Sequence, residues 1–204
     1  RTMLADNYEY SKALYAFATA REIPLIYASS AAVYGMGPVF REDPALEKPL
    51  NPYAWSKVLF DRWVRRHAAG ARSQVVGLRY FNVYGSRQAL SNPYTGVAAI
   101  FSSRLLNGKP PLVTEDGLQS RDFVHVSDIV RANLLALRCE AAGGRVCNVG
   151  TGRPTTIRRV GELLAERLGR DDVGAHRHHA PVGGGAQSLD IAAAGEHGEV
   201  GAHG

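Results

Sequence analysis

Asn51-Pro52-Tyr53-Ala54-Trp55-Ser56-Lys57 is the stretch on which the reading of this chain turns. Asn is a good helix cap and Pro a good first helical residue, so the segment predicts a helix over 53–69. Tyr53 and Lys57 are four positions apart and share one helical face. A phenol beside an ammonium is a proton-transfer device. A free phenol titrates near about pH 10, and a nearby cation favours its anion. Such a tyrosine can take a proton from a hydroxyl group. Tyr-x-x-x-Lys alone also describes an ordinary exposed pair, so the surroundings must decide.

Upstream, Ile26-Tyr27-Ala28-Ser29-Ser30-Ala31-Ala32-Val33-Tyr34-Gly35 reads as an apolar strand running into a Ser-containing turn. A hydroxyl at the strand's carboxyl end, ahead of the Tyr/Lys helix, completes a Ser30/Tyr53/Lys57 constellation. Three more segments follow: Leu78-Arg79-Tyr80-Phe81-Asn82-Val83-Tyr84-Gly85, Arg121-Asp122-Phe123-Val124-His125-Val126 and Asn148-Val149-Gly150-Thr151-Gly152. Together and in this order, the five motifs resemble the extended short-chain dehydrogenase/reductase family, within it the nucleotide-sugar epimerases and dehydratases. The resemblance covers residues 1–172. It implies an α/β fold, a partial Rossmann-like doubly wound parallel sheet with a small C-terminal substrate lobe. It also implies roles. Ser30, Tyr53 and Lys57 would be catalytic. Asn7, Tyr53, Lys57 and Tyr80 would contact NAD. Asn82 and Arg121 would meet the diphosphate of a nucleotide-diphosphate sugar, with no metal. A homodimer is expected through two helices, one of them the Tyr/Lys helix.

Each of these residues has a plainer reading. Asn7 also suits a helix surface, Tyr80 a core and Asn82 a turn cap. Arg121 also suits an ion pair with Asp122 or Asp128, although a guanidinium matches phosphate oxygens bidentately. His125 reads as structural. Elsewhere, Tyr10, Leu14, Phe17 and Ala18 recur at helical spacing and predict an amphipathic helix over 2–20. Residues 24–28, 74–80 and 145–149 read as strands, and 96–107 as a short helix. Asp128 is expected to cap the helix holding Ile129, Val130, Asn133, Leu134 and Leu137, and Thr155 or Thr156 the last one, with Ile157, Val160, Leu163, Leu164 and Leu168 on its apolar side.

With 204 residues, 45% of them hydrophobic and 21% charged, the chain suits one soluble globular domain. The net charge of +5 is scattered, and its densest group, Arg62, Arg65 and Arg66, reads as a solvated helix face and not a nucleic-acid stripe. Cys139 and Cys147 make neither a disulfide framework nor a metal pattern and fit a reducing cytoplasm. No signal-peptide pattern or membrane-length apolar run is present, so neither export nor a membrane location is expected.

A dinucleotide-binding fold opens with a strand and a Gly-rich turn. The first glycine here is Gly35, so the sequence reads as N-terminally incomplete. Alone it is expected to bind NAD poorly and to epimerise nothing. Past residue 172 the composition shifts: five of the seven histidines and eight of the 22 glycines fall in 174–204. Residues 173–204 therefore read as an atypical Gly/His-rich tail, disordered, divergent or frameshifted.

The resemblance implies C4 epimerisation through a transient keto-sugar. Dehydratases place an acidic pair directly after the catalytic hydroxyl residue, and here that pair is Ala31-Ala32. ADP-heptose 6-epimerases are a closer alternative. The first half resembles them in Asp6-Asn7-Tyr8-Glu9-Tyr10-Ser11-Lys12 and Glu47-Lys48-Pro49-Leu50-Asn51. Their extra catalytic Lys past the Asn-Val-Tyr-Gly motif has no counterpart near Ser91 and Asn92. The run from Gln88 to Gly96 instead resembles bacterial 4-epimerases, including those acting on dTDP-L-rhamnose. An alternative of another class is a non-catalytic dinucleotide-binding or scaffold remnant.

Overall fold

The computed structural model describes residues 2–89, 96–114, 116–170 and 176–178. Its helices are α1 (Thr2–Leu4), α2 (Tyr10–Ala20), α3 (Pro52–His67), α4 (Val97–Leu106), α5 (Val126–Arg138) and α6 (Ile157–Arg167). Its strands are β1 (Leu25–Ser30), β2 (Val75–Tyr80), β3 (Asn82–Tyr84), β4 (Leu112–Thr114), β5 (Ser120–His125), β6 (Val146–Val149), β7 (Pro154–Thr156) and β8 (His176–His178).

The expected cap begins α3: Asn51 Oδ1 accepts from the Ala54 amide at 2.8 Å, with Pro52 in the first turn. The parallel sheet runs β1-β2-β6, with Leu25 opposite Val75, Ser30 opposite Tyr80 and Tyr80 opposite Val149. β2 lies between two strands and under helices, so its apolar run is buried. On one face Phe60 and Val64 of α3 pack with Tyr15 and Val75. On the other, Ala136 of α5 packs with Val76 and Leu78. Helices on both faces of a parallel sheet make the doubly wound layer predicted.

The expected smaller lobe follows. β3 pairs parallel with β5, and β5 antiparallel with β7. Phe101 of α4, Val113 of β4 and Val160 of α6 form its core. A break at Phe81 separates β2 from β3, so Asn82 starts a strand of the second sheet and does not simply end the first. The first of the chain's crossings between the two lobes is therefore one residue long, and the chain crosses again from β5 into α5 and from β6 to β7.

Three expectations need correction. The first helix is continuous over 2–20 but contains a π turn, Ala5–Glu9. Its apolar stripe is exposed at Tyr10, Leu14 and Phe17, while Tyr15 and Ala18 are buried. This helix is apolar on two sides, and the core takes only the side of Tyr15. Asp128 is not the cap of α5. His125 is, its Nδ1 accepting from the Ser127 amide, which leaves Asp128 inside the first turn. On α6, Val160 is buried but Leu163 and Leu168 are exposed. Thr156 caps it as expected, accepting from the Arg159 amide at 3.1 Å. The boundary at 172 and the reading of 173–204 lie outside the described residues, except that the 176–178 backbone pairs in parallel with β4. No described helix is long and apolar enough to cross a membrane.

Candidate active site

Ser30 is the last residue of β1 and the cap of a short 3-10 turn, Ala31–Tyr34, with its Oγ accepting from the Ala32 amide at 3.2 Å. Lys57 reaches this strand end from α3: Nζ donates to the Ala28 carbonyl at 2.9 Å. The same ammonium stands 5.7 Å from the centre of the Tyr53 ring. Tyr53 is 39% exposed, open to a ligand. Two backbone features thus bring the three groups to one place: the carboxyl end of β1 and the first turns of α3, where open α/β sheets bind ligands. Burial lowers the pKa of Lys57, and the nearby Asp61 charge opposes that shift.

Asn7 sits in the π turn. Its amide donates to Ser56 Oγ at 3.2 Å, and that hydroxyl donates to the Tyr53 carbonyl at 2.6 Å. Ser56 is fully buried. Asn7 therefore braces the helix that carries Tyr53 and Lys57. Tyr80, at the end of β2, exchanges hydrogen bonds with Asn133 of α5, 2.9 Å from its amide nitrogen.

Asn82 follows Tyr80, which is opposite Ser30 in the sheet, by two residues. It lines a cavity of about 270 Å³ with Tyr84, Gln88, Val97 and Phe123. The cavity adjoins a larger, mainly apolar one of about 710 Å³, since Tyr84, Ala98 and Phe123 line both. Thr151, Arg153 and Arg167 supply its polar rim. Neither contains Ser30, Tyr53 or Lys57. Proton-transfer chemistry needs groups such as Tyr53, Lys57 and Ser30, so the end of β1 and the start of α3 make the candidate reacting end, whatever the size of the cavities. Arg121 stands on β5, two residues before Phe123, which is opposite Asn82. One of its terminal nitrogens donates to the Ser120 carbonyl at 2.7 Å. Asp122 is committed elsewhere. Buried, it accepts from the Thr151 amide and hydroxyl and the Gly152 amide, with distances of 2.6–2.9 Å, and so fixes the turn after β6.

The sequence reading missed a buried ionic cluster behind the site. Arg79 of β2, Asp61 of α3 and Glu47 have fully buried side chains. Arg79 donates to Asp61 Oδ2 at 3.1 Å from Nε and at 2.9 Å from a terminal nitrogen. Asp61 also accepts from Ser29 Oγ at 2.9 Å and Tyr27 OH at 3.1 Å. Arg79 bonds Glu47 as well, which Arg62 and Arg65 hold from α3. Its remaining terminal nitrogen donates to Tyr34 OH at 2.9 Å, and Tyr34 OH donates to Asn148 at 2.7 Å. Gly77 makes room for this: a Cβ there would lie 2.5 Å from the Tyr27 ring, which crosses it towards Asp61. A charge in the middle of an otherwise apolar strand, and an Asp four residues past Lys57 on a helix face with Val64, were the available signals.

Similarity to known proteins agrees with this geometry. Residues 1–150 match the NAD dependent epimerase/dehydratase family. The chain is 42% identical over 179 residues to an ADP-L-glycero-D-manno-heptose-6-epimerase of Alkalilimnicola ehrlichii, covering 85% of the chain and 56% of the relative. Among solved structures, UDP-N-acetylglucosamine 4-epimerase of Methanobrevibacter ruminantium superposes with a TM-score of 0.80 at 33% identity, over 90% of the chain and 59% of the other. UDP-glucose 4-epimerase of Thermotoga maritima gives a TM-score of 0.79 at 31% identity, over 92% of the chain and 59% of the other. The chain thus spans a little over half the length of these relatives. A matched region of this extent, and Ser30, Tyr53 and Lys57 gathered at the end of a parallel strand, lead to one conclusion: the chain belongs to the NAD-dependent epimerase/dehydratase family.

Proposed function

We propose that the protein carrying this chain is an NAD-dependent nucleotide-sugar epimerase that inverts C4 through a transient keto-sugar. The observation that carries the reading is the Lys57 ammonium, fixed on the Ala28 carbonyl, beside an accessible Tyr53 and the Ser30 turn. Tyr53 takes the proton from the sugar hydroxyl. Ser30 bonds the reacting oxygen from the strand end. Lys57 keeps a positive charge beside the phenol and would hold the ribose of the cofactor. Bound NAD supplies the reversible hydride acceptor that this chemistry requires. The residues fit its nicotinamide end: Lys57 offers donors at the site, Tyr53 is open, and Tyr80 is oriented by Asn133 at the adjacent strand end. Asn7 supports this end through Ser56.

Asn82 and Arg121 are proposed to hold the diphosphate. Their strands pair directly, and the cavity at Asn82 continues into the larger one. The solved relative from T. maritima contains UDP-glucose, which supports a nucleotide-diphosphate sugar as the ligand class. The exposed Tyr10, Leu14 and Phe17 on α2 support a homodimer through α2 and α3. Cytoplasmic placement rests on the cysteine usage alone.

Dehydration is disfavoured, because no acidic residue lies in the turn that Ser30 caps. A second reading, C6 epimerisation of an ADP-heptose, is favoured by the 42% identity to the A. ehrlichii relative. Residues 88–96 contain no Lys to act as a further base, which supports C4. Within that run, 90–95 lie outside the described residues. The first test is Tyr53→Phe in the natural full-length protein. Turnover should fall by about 10²-fold or more while the sugar nucleotide still binds by calorimetry. Retained turnover would remove Tyr53 from the mechanism.

A further inference from the structure

The catalytic groups sit on two elements, β1 and α3, that only tertiary contacts hold in register. The buried cluster bridges those two elements one step behind the site. Asp61 is one helical turn past Lys57, as Lys57 is past Tyr53. Its carboxylate is hydrogen-bonded to Ser29, the residue next to Ser30. Ser29 and Arg79 are opposite each other in the sheet, on the face turned to α3. Asp61 therefore receives four hydrogen bonds, two from Arg79 on β2 and two from Ser29 and Tyr27 on β1. With its Nε and terminal nitrogens on Asp61, Glu47 and Tyr34, Arg79 has little freedom to shift. This is more fixation than a helix needs to lie on a sheet, which apolar contacts already achieve through Phe60 and Val64. Replacing a buried ion pair with apolar groups is often neutral or stabilising. Stability is thus a weak reason for placing a charged pair here.

We propose that Asp61, oriented by Arg79, is a positioning residue that fixes the distance and register between the Ser30 strand end and the Tyr53/Lys57 helix. The catalytic part of this inference rests on the proposed epimerase reading. Asp61 touches neither substrate nor cofactor and acts through Ser29 and α3. Placement errors of about 1 Å can cost on the order of 10²-fold in rate.

Two readouts test it in the natural full-length protein. Asp61→Asn should lower kcat by about 10²-fold with little change in KM. The same change should also raise the high-pH plateau of Lys57 acylation, read by peptide mass spectrometry across its pH profile, severalfold; the plateau reports access and not the lower pKa that loss of the Asp61 charge leaves. General loosening would also speed amide exchange in the separate Phe101/Val113/Val160 core, which the positioning role leaves at the parental rate. The paired variant Asp61→Leu/Arg79→Met removes both charges, so it stays folded if the single variant does not. It should melt near the parent and still show low kcat and a reactive Lys57. Asp61→Glu should recover part of the rate. A folded paired variant with parental kcat and parental Lys57 labelling would overturn the proposal. Selective exposure of Lys57 in a protein whose unsubstituted form turns over no sugar nucleotide would support the positioning role and count against the epimerase reading.

Discussion

Lys57 holds its charge in a half-buried place, and its pH behaviour follows from that. Burial lowers its pKa below the ordinary 10.5, with Asp61 pulling the other way. At pH below both values the amine is protonated folded and unfolded, and the full burial cost is present. Between the folded value and 10.5 the unfolded chain keeps a proton that the folded one has lost. Stability contributed by this group therefore rises with pH through that window. Activity runs in the opposite sense, because the ammonium beside Tyr53 disappears. The alkaline limb of kcat should lie below pH 10.5, and Lys57→Met should abolish both turnover and the rise in stability, read by urea unfolding against pH. At this scale the sequence was enough to single out Tyr53, Lys57 and Ser30 as candidates, since residue type and helical spacing carry the chemistry proposed for them. Arg79, Asp61 and Glu47 were not legible as a set. They come from a strand, a helix and a loop, and nothing local says that three buried charges meet.

The turn between Ser30 and α3 is fixed by backbone geometry. Gly35 has φ +64°, and a Cβ there would sit 2.1 Å from the Lys48 carbonyl oxygen. Neither the backbone conformation nor the neighbour can adjust cheaply. Gly35→Ala should cost about 3 kcal/mol or more, measured as a fall in unfolding free energy. The loop that follows is held at two points. The Asn148 amide nitrogen of its side chain donates to the Phe40 carbonyl, and its backbone N–H donates to Glu42, each at 2.8 Å. Glu47 anchors the far end on Arg62, Arg65 and Arg79. Element types and order were readable because caps and periodicity are local: Asn51 and Thr156 cap the helices expected of them. The exceptions have physical causes. His125 displaces Asp128 as a cap because its ring reaches the Ser127 amide first, three residues earlier in the chain. The π turn at Asn7 carries no local pattern of its own, yet it turns the amide towards Ser56.

Across the whole molecule, the proposed function places its two ends on different lobes. β1 and α3 carry the candidate proton-transfer groups Ser30, Tyr53 and Lys57, and the smaller sheet with α4 and α6 carries the cavities at and beyond Asn82. The chain passes between the two lobes at Phe81, from β5 into α5 and from β6 to β7, so Asn82 and the turn after β6 both stand where the lobes join. The doubly wound layer was legible from apolar runs alternating with amphipathic helices. The cavities were not, because their walls combine residues from β3, α4, β7 and α6. The most direct measurement follows sugar nucleotides by proton NMR in deuterated water with the natural full-length protein. The expected result is inversion at C4 with no deuterium at that carbon and no net reduction of NAD, since the hydride returns within one turnover. A 4-keto-6-deoxy product, inversion confined to C6 of an ADP-heptose, or no turnover with any sugar nucleotide would contradict it.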